Sequence, residues 1–229
     1  MAQFHLLKTL RFYWVMSKRK KSSRKINTRV FIERILIVCE GKKTEPNYFK
    51  KFPIDKSKYY VDAKGEGRIT KSLVERAIEI QEMALLPFDI VWCVFDKDDN
   101  SDEVFNEARQ IATANNIEVA YSNEAFELWY LLHFNYYDSA MSRHQYQEKL
   151  SELIGHEYEK NSENMYQELH DKQPEAIRNA KRLLSNYSPS NPAKDNPSTT
   201  VHQLVEELNK RLKIPLPPLE KGESILPFS

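Results

Sequence analysis

From residue 34 to residue 134 short unbroken apolar runs alternate with longer amphipathic ones, and this beat constrains the fold more than any other feature of the chain. RILIVCE (34–40) and DIVWCVF (89–95) are continuous β-branched, aliphatic and aromatic stretches, as expected of strands buried on both faces. KYYVDA (58–63) reads as a shorter, more exposed strand, and IEVAYS (117–122) as a fourth. Between them, TEPNYFKKF (44–52) can start a helix, with Thr44 as N-cap and Pro46 in the first turn. TKSLVERAIEIQEMALL (70–86) carries Leu73, Val74, Ala77, Ile78, Ala84 and Leu85 at helical spacing and stops at Pro87. SDEVFNEARQIATANN (101–116) has Ser101 or Asp102 as its cap, and NEAFELWYLLHF (123–134) makes a fourth, aromatic-rich helix. The order βαβαβαβα predicts an α/β fold, a parallel sheet flanked by helices, because parallel neighbours need crossover connections.

Strand signals cease at about residue 140. SRHQYQEKLSELIG (142–155) opens with a capping box, Ser142 with Gln145, and QPEAIRNAKRLLSNY (173–187) is a further helix. TVHQLVEELNKRL (200–212), capped by Thr200 with Gln203, follows a proline-broken connection and precedes a proline-rich tail. The expected organisation is a basic, disordered N-terminal arm (1–30), an α/β core (31–136) and a C-terminal helical extension (137–229).

A length of 229 residues with a net charge of +1 fits one domain of ordinary size, and only 5 glycines against 29% charged residues favour a helix-rich body. No apolar stretch is long enough to span a bilayer. Cys39 and Cys93 fall inside expected core strands without CxxC spacing, which argues against a disulfide framework or a zinc site and fits a cytoplasmic protein. The balanced total hides KRKKSSRK (18–25), where Lys18, Arg19, Lys20, Lys21, Arg24 and Lys25 crowd together. Two readings fit such a block, a solvated tail or a nucleic-acid contact. The segment before it, FHLLKTLRFYWVM, is a poor signal peptide, broken by Lys8 and Arg11; Met16 opens the basic arm directly, so the first fifteen residues read as an over-extended start.

Acidic residues gather where the strands should end. Glu40 closes the first strand, Asp96 and Asp98 close the third, and Glu124 and Glu127 follow the fourth. In open parallel sheets ligands bind at the carboxyl ends of strands, and residues i and i+2 of a strand project to one face, so Asp96 and Asp98 can act together. Clustered carboxylates repel unless a cation neutralises them, and an oxygen-only set suits Mg²⁺ or Mn²⁺ better than zinc. Helix capping or solvation is the competing explanation for single carboxylates, such as Asp99 or Asp102.

An hhhEG strand end (VCEG) followed one βα unit later by hhhhDxD (VWCVFDKD) resembles the Toprim fold of primases, topoisomerases and a class of phage-defence nucleases. VCEGKKTEPNYFKKF, VWCVFDKDDN, NEAFELWYLLHF and NPSTTVHQLVEEL together resemble the RloB family, encoded in bacterial restriction-modification and phage-defence loci. The resemblance implies a Toprim-like, Rossmann-like core in which Glu40, Asp96 and Asp98 are catalytic and, with Glu127, bind Mg²⁺ or Mn²⁺. Lys42 and Lys43 lie beside Glu40 and are candidate nucleic-acid contacts with the arm; Lys181, Arg182 and Lys194 are alternatives for the positive charge at the phosphate. It further implies a metal-dependent nuclease of anti-phage, abortive-infection defence, with RNA, including transfer RNA, favoured over DNA, and a separate ATPase partner. The competing expectation is a non-catalytic subunit that binds nucleic acid or docks on that ATPase.

Other features carry two readings each. Gly41 ahead of a helix start can receive a phosphate or simply turn the chain. GEGR (65–68) is a flexible loop rather than a P-loop, and no GxxxxGK[ST] occurs. His133, Trp92, Phe126, Trp129 and Tyr130 are expected in the core; Tyr136 and Tyr137 are candidates for stacking on unpaired bases.

Overall fold

The computed structural model describes residues 31–214. The four expected strands are present as β1 (Glu33–Cys39), β2 (Tyr59–Gly65), β3 (Ile90–Asp96) and β4 (Glu118–Asn123), all mutually parallel in the order β2-β1-β3-β4. Helices α1 (Thr44–Lys50), α2 (Thr70–Met83) and α3 (Asp102–Ala114) make the crossovers, and α4 (Glu127–Leu131) is a single short turn-and-a-half after β4. This is an α/β, Rossmann-like arrangement.

The unbroken apolar runs are buried on both faces, as their composition requires. Along β1, Ile35, Ile37 and Cys39 enter one apolar cluster while Leu36 and Val38 enter the other. Along β3, Trp92 and Val94 alternate in the same way with Val91, Cys93 and Phe95. One face is covered by α2 and α3, whose Leu73, Val74, Ala77, Phe105 and Ala108 are fully buried. Each large apolar side chain removed from water this way contributes about 1.5–3 kcal/mol.

The other face is covered by α1, α4 and everything that follows: α5 (Arg143–Ile154), α6 (Met165–Leu169), a 3₁₀ turn (His170–Lys172), α7 (Gln173–Ser185) and α8 (Val201–Asn209). Tyr48, Phe49, Phe126 and Tyr130 form edge-to-face contacts at the centre of this layer, with Tyr48 5.6 Å from Tyr166 of α6. The residues from 137 onward, expected as an appended extension, therefore share one core with the sheet. They also lock its start: the Arg211 guanidinium, 8% exposed, pairs with Glu33 through Nη2 at 2.7 Å and Nε at 3.0 Å.

Three expectations need correction. Strand signals were absent beyond residue 140, yet Ser198–Thr199 forms β5, antiparallel to β4, through Ser122↔Thr199 and Asn123↔Ser198. Nor does Thr200 cap α8 with its side chain; its hydroxyl accepts from the Tyr121 amide at 2.9 Å and donates to the Val119 carbonyl at 3.3 Å, continuing the sheet with side-chain bonds. Similarly, Thr44 is the first residue of α1 rather than its cap, and its hydroxyl meets Asn161 at 3.5 Å. The capping box of Ser142 with Gln145 and the Ser101 cap on α3 are both present.

Candidate functional site

The register of the parallel strands decides where the acidic residues meet. Cys39 lies opposite Val94, the Glu40 amide donates to the Val94 carbonyl at 2.9 Å, and Asp96 lies opposite Ser122. Glu40 and Asp96 therefore leave the sheet side by side, at the carboxyl ends of its two central strands. Beyond Asp96 the chain bends: the Lys97 amide donates to the Ser122 carbonyl at 2.8 Å, and the Asp98 amide to the Glu124 carbonyl at 3.2 Å. Asp98 adopts φ +38°, a left-handed conformation that Asp tolerates better than most residues. Extended-strand alternation thus does not carry Asp98 to its place; the bend does. The pair still share one partner, as the DxD spacing implies: Arg143 Nη2 lies 2.8 Å from Asp98 Oδ2 and 3.8 Å from Asp96 Oδ2.

Two glutamates from helices complete the cluster. Glu45, in the first turn of α1, folds back so that Oε1 accepts from the Gly41 amide at 3.2 Å; it is 5% exposed, and its Oε2 is buried with no hydrogen-bond partner. The Gly41 amide is thereby spent on Glu45, which excludes its use as a phosphate-binding donor in this arrangement. Glu127, at the start of α4, is 2% exposed and accepts from the Tyr158 hydroxyl at 3.3 Å. Tyr158 comes from the loop after α5, which also packs on α1 through Asn47 Nδ2 and the Asn161 carbonyl at 3.0 Å.

Burial, and then the like charge of neighbouring acids, raises the proton affinity of Glu40, Glu45 and Asp96. Burial pushes the Glu40 carboxyl up to about 7, with the negative charge of Glu45 and Asp98 adding to the effect. Asp96 is raised well above the carboxylate range by burial and then by Glu45, Glu127 and Glu40, and Glu45 is raised chiefly by burial. A second buried acceptor, Glu40 Oε2, also lacks a donor. Oxygen-only donors with two orphaned buried carboxylate oxygens fit a hard divalent cation. Among the described residues no group of three or more His, Cys, Asp and Glu side chains is arranged to hold a metal ion. The cation that Asp96 and Asp98 do hold is Arg143.

Lys42 and Lys43 are exposed at the rim. The stem of Lys42 runs across Gly67, where a Cβ would collide with its Cε, and Gly65 packs against the Gly41 and Lys42 carbonyls; the GEGR loop therefore supports the β1–α1 turn by close approach. Lys18, Arg19, Lys20, Lys21, Arg24 and Lys25 lie outside the described residues. Of the other basic candidates, Lys181 is paired with Glu206 at 2.6 Å and Arg182 stacks 4.0 Å from the Tyr136 ring centroid. His133 is 1% exposed in the core, its Nδ1 bonded to the Trp129 carbonyl at 2.9 Å, and burial lowers its pKa to about 4. Tyr136 and Tyr137 are half-buried against the core rather than free to stack.

Sequence reasoning missed Arg143 and Tyr158; for Glu45, in the first turn of α1, a helix-dipole role and a catalytic one both fit. Glu45 had a local signal, its position one helical turn from Gly41. The other two had none, since only tertiary packing brings α5 and its following loop over the strand ends.

The fold and site together define an α/β, Rossmann-like protein with a carboxylate cluster at the carboxyl ends of parallel strands. A family model described as RloB-like protein matches residues 35–208, and the chain belongs to that family. No curated protein and no solved structure shows a significant match to it. Among the described residues no helix is long and apolar enough to cross a membrane.

Proposed function

We propose that the acidic cluster is the centre of a divalent-cation-dependent nuclease of the Toprim type, acting in bacterial anti-phage defence. The observation that carries this reading is the convergence of Glu40, Asp96 and Asp98 from two neighbouring strand ends with buried Glu45 and Glu127 from two helices, leaving Glu40 Oε2 and Glu45 Oε2 without donors. Five carboxyl groups in one place are costly in a folded protein, so a function that needs them is the economical explanation.

Glu40, Glu45, Asp96, Asp98 and Glu127 would hold one or two Mg²⁺ or Mn²⁺ ions. Such ions, when bound, make water a stronger acid and carry charge on the leaving oxygen of a phosphodiester. Glu40, whose Oε2 has no hydrogen-bond donor, is the candidate for taking up or releasing a proton at the site. Lys42 and Lys43 at the rim, together with the basic segment 18–25, would hold the nucleic-acid backbone. RNA, including transfer RNA, is favoured over DNA as substrate by analogy with toxic RNA cleavage in infected cells. A nucleotide-driven step would fall to a separate ATPase partner, since the chain has no P-loop motif.

The test is single-turnover cleavage of a pool of labelled transfer RNA, total RNA, single-stranded DNA and duplex DNA in Mg²⁺, Mn²⁺ or EDTA, with wild type and Asp96→Asn. Metal-dependent cleavage of one class that disappears in the variant is the expected result. Binding without cleavage, unchanged when a candidate ATPase partner is added, would favour a non-catalytic subunit instead. That second reading draws on the pairing of Arg143 with Asp96 and Asp98, which balances their charge without any metal.

A further inference from the structure

We propose that Arg143 is a built-in counter-cation of the site, which a divalent ion must displace from Asp96 and Asp98 in order to bind. The inference rests on the metal-dependent reading above and adds to it a competition between one side chain and the metal.

Three observations carry it. First, the position of Arg143 is built rather than accidental. The reciprocal capping box of Ser142 and Gln145 fixes the start of α5, and Arg143 is the first residue of that helix. Tyr146, one turn on, is fully buried and anchors α5 to the core, so the guanidinium is held over the strand ends. Second, its pairing is with the two aspartates of the DxD pair: Nη2 is 2.8 Å from Asp98 and 3.8 Å from Asp96, with side chains only 28% and 17% exposed. Lys97, between the two aspartates in sequence, pairs with Asp102 at 3.4 Å and leaves them to Arg143.

Third, the pairing is incomplete on both sides. Arg143 Nε is buried without an acceptor, while Glu40 Oε2 and the nine-tenths-buried Glu45 Oε2 lack donors. A purely structural ion pair in such a place would be expected to satisfy its fork, because an unpaired buried donor costs about as much as the bond it forgoes. One guanidinium set against Asp96 and Asp98 neutralises part of the cluster's charge and leaves acceptors over. That pattern suits a cation that holds the site together until a doubly charged ion replaces it. Arg143 is itself 35% exposed, so it has a route outward.

The experiment uses the full chain and Mn²⁺ as the probe. Free Mn²⁺ is followed by electron paramagnetic resonance during titration of wild type, Arg143→Gln, Arg143→Lys and Lys160→Gln. Lys160 acts on Glu45 through its charge but does not pair with either aspartate, so its variant sets the size of a simple field effect. Arg143→Gln is expected to bind Mn²⁺ roughly fivefold to tenfold more tightly than wild type, the scale of one partly exposed ion pair, and more tightly than Lys160→Gln. Arg143→Lys, which keeps the charge without the planar fork, should fall between. A second readout is the Arg143 Nε–Hε resonance, identified by its loss in Arg143→Lys, which should shift as diamagnetic Mg²⁺ is added. Equal affinities in wild type and Arg143→Gln, or a resonance unmoved at saturating Mg²⁺, would overturn the proposal while leaving the metal site intact. No Mn²⁺ binding by wild type or any variant would overturn both this proposal and the reading on which it rests. Should Arg143→Gln fail to fold, the Arg143→Lys affinity and the wild-type resonance decide the matter.

Discussion

The Gly41 amide donates to Glu45 Oε1 at 3.2 Å, so the residue after the β1 acid and the acid of the first turn of α1 are tied into one unit. A side chain at Gly41 would strike the Glu45 carboxylate. Gly41→Ala is therefore expected to move Glu45 out of the cluster and lower single-turnover cleavage by at least about tenfold, a loss of the size seen when a positioned catalytic group is displaced. Circular dichroism should show the fold retained.

Glu40 links the site to pH. Its carboxyl rises from an ordinary 4.5 to about 7 in the folded, metal-free chain, so the folded state binds more protons than the unfolded one between those values. The contribution of Glu40 to stability is then fully present below 4.5 and is lost as pH rises through about 7. The stability of wild type relative to Glu40→Gln, measured by urea unfolding in EDTA, is expected to fall by on the order of 2 kcal/mol from pH 4.5 to pH 7.5. The comparison with Glu40→Gln removes the opposite slope of buried His133 and His202, whose pKa values are both lowered to about 4. A flat difference would mean that burial and the neighbouring acids do not raise the Glu40 carboxyl in the folded chain.

Lys42 and Lys43 stand exposed beside the acids, with the Lys42 stem steered by Gly67. Replacing either by Ala should weaken RNA binding and reduce the slope of log affinity against log salt by roughly one per lysine. A lower affinity with an unchanged slope would mean that the lysines do not contact phosphate.

Thr200 bonds to both the Tyr121 amide and the Val119 carbonyl, fastening the β5 edge to β4. Thr200→Val keeps the shape and removes both bonds, so a loss of about 1–3 kcal/mol in thermal or urea unfolding is expected. An unchanged unfolding midpoint would show that β5 is not held by this hydroxyl.

The two central strands were legible because nothing but a doubly buried strand explains RILIVC or IVWCVF, and once they are parallel neighbours Glu40 and Asp96 must emerge together. β5 was not legible. It is two residues of Ser and Thr whose pairing depends on hydroxyls meeting Ser122 and Tyr121, a tertiary event with no periodic trace. Asp98 reached its expected partner by an unexpected path, a left-handed bend rather than strand alternation. Arg143 stayed hidden because a capping box announces a helix start but not the surface over which that helix begins.

We propose that these carboxylates hold a divalent ion. Anomalous scattering from crystals grown with Mn²⁺ tests it most directly. The expected map has a peak among Glu40, Glu45, Asp96 and Asp98, with the Arg143 guanidinium drawn away from Asp98. An empty cluster with Arg143 still seated on Asp98 at saturating Mn²⁺ would contradict the account.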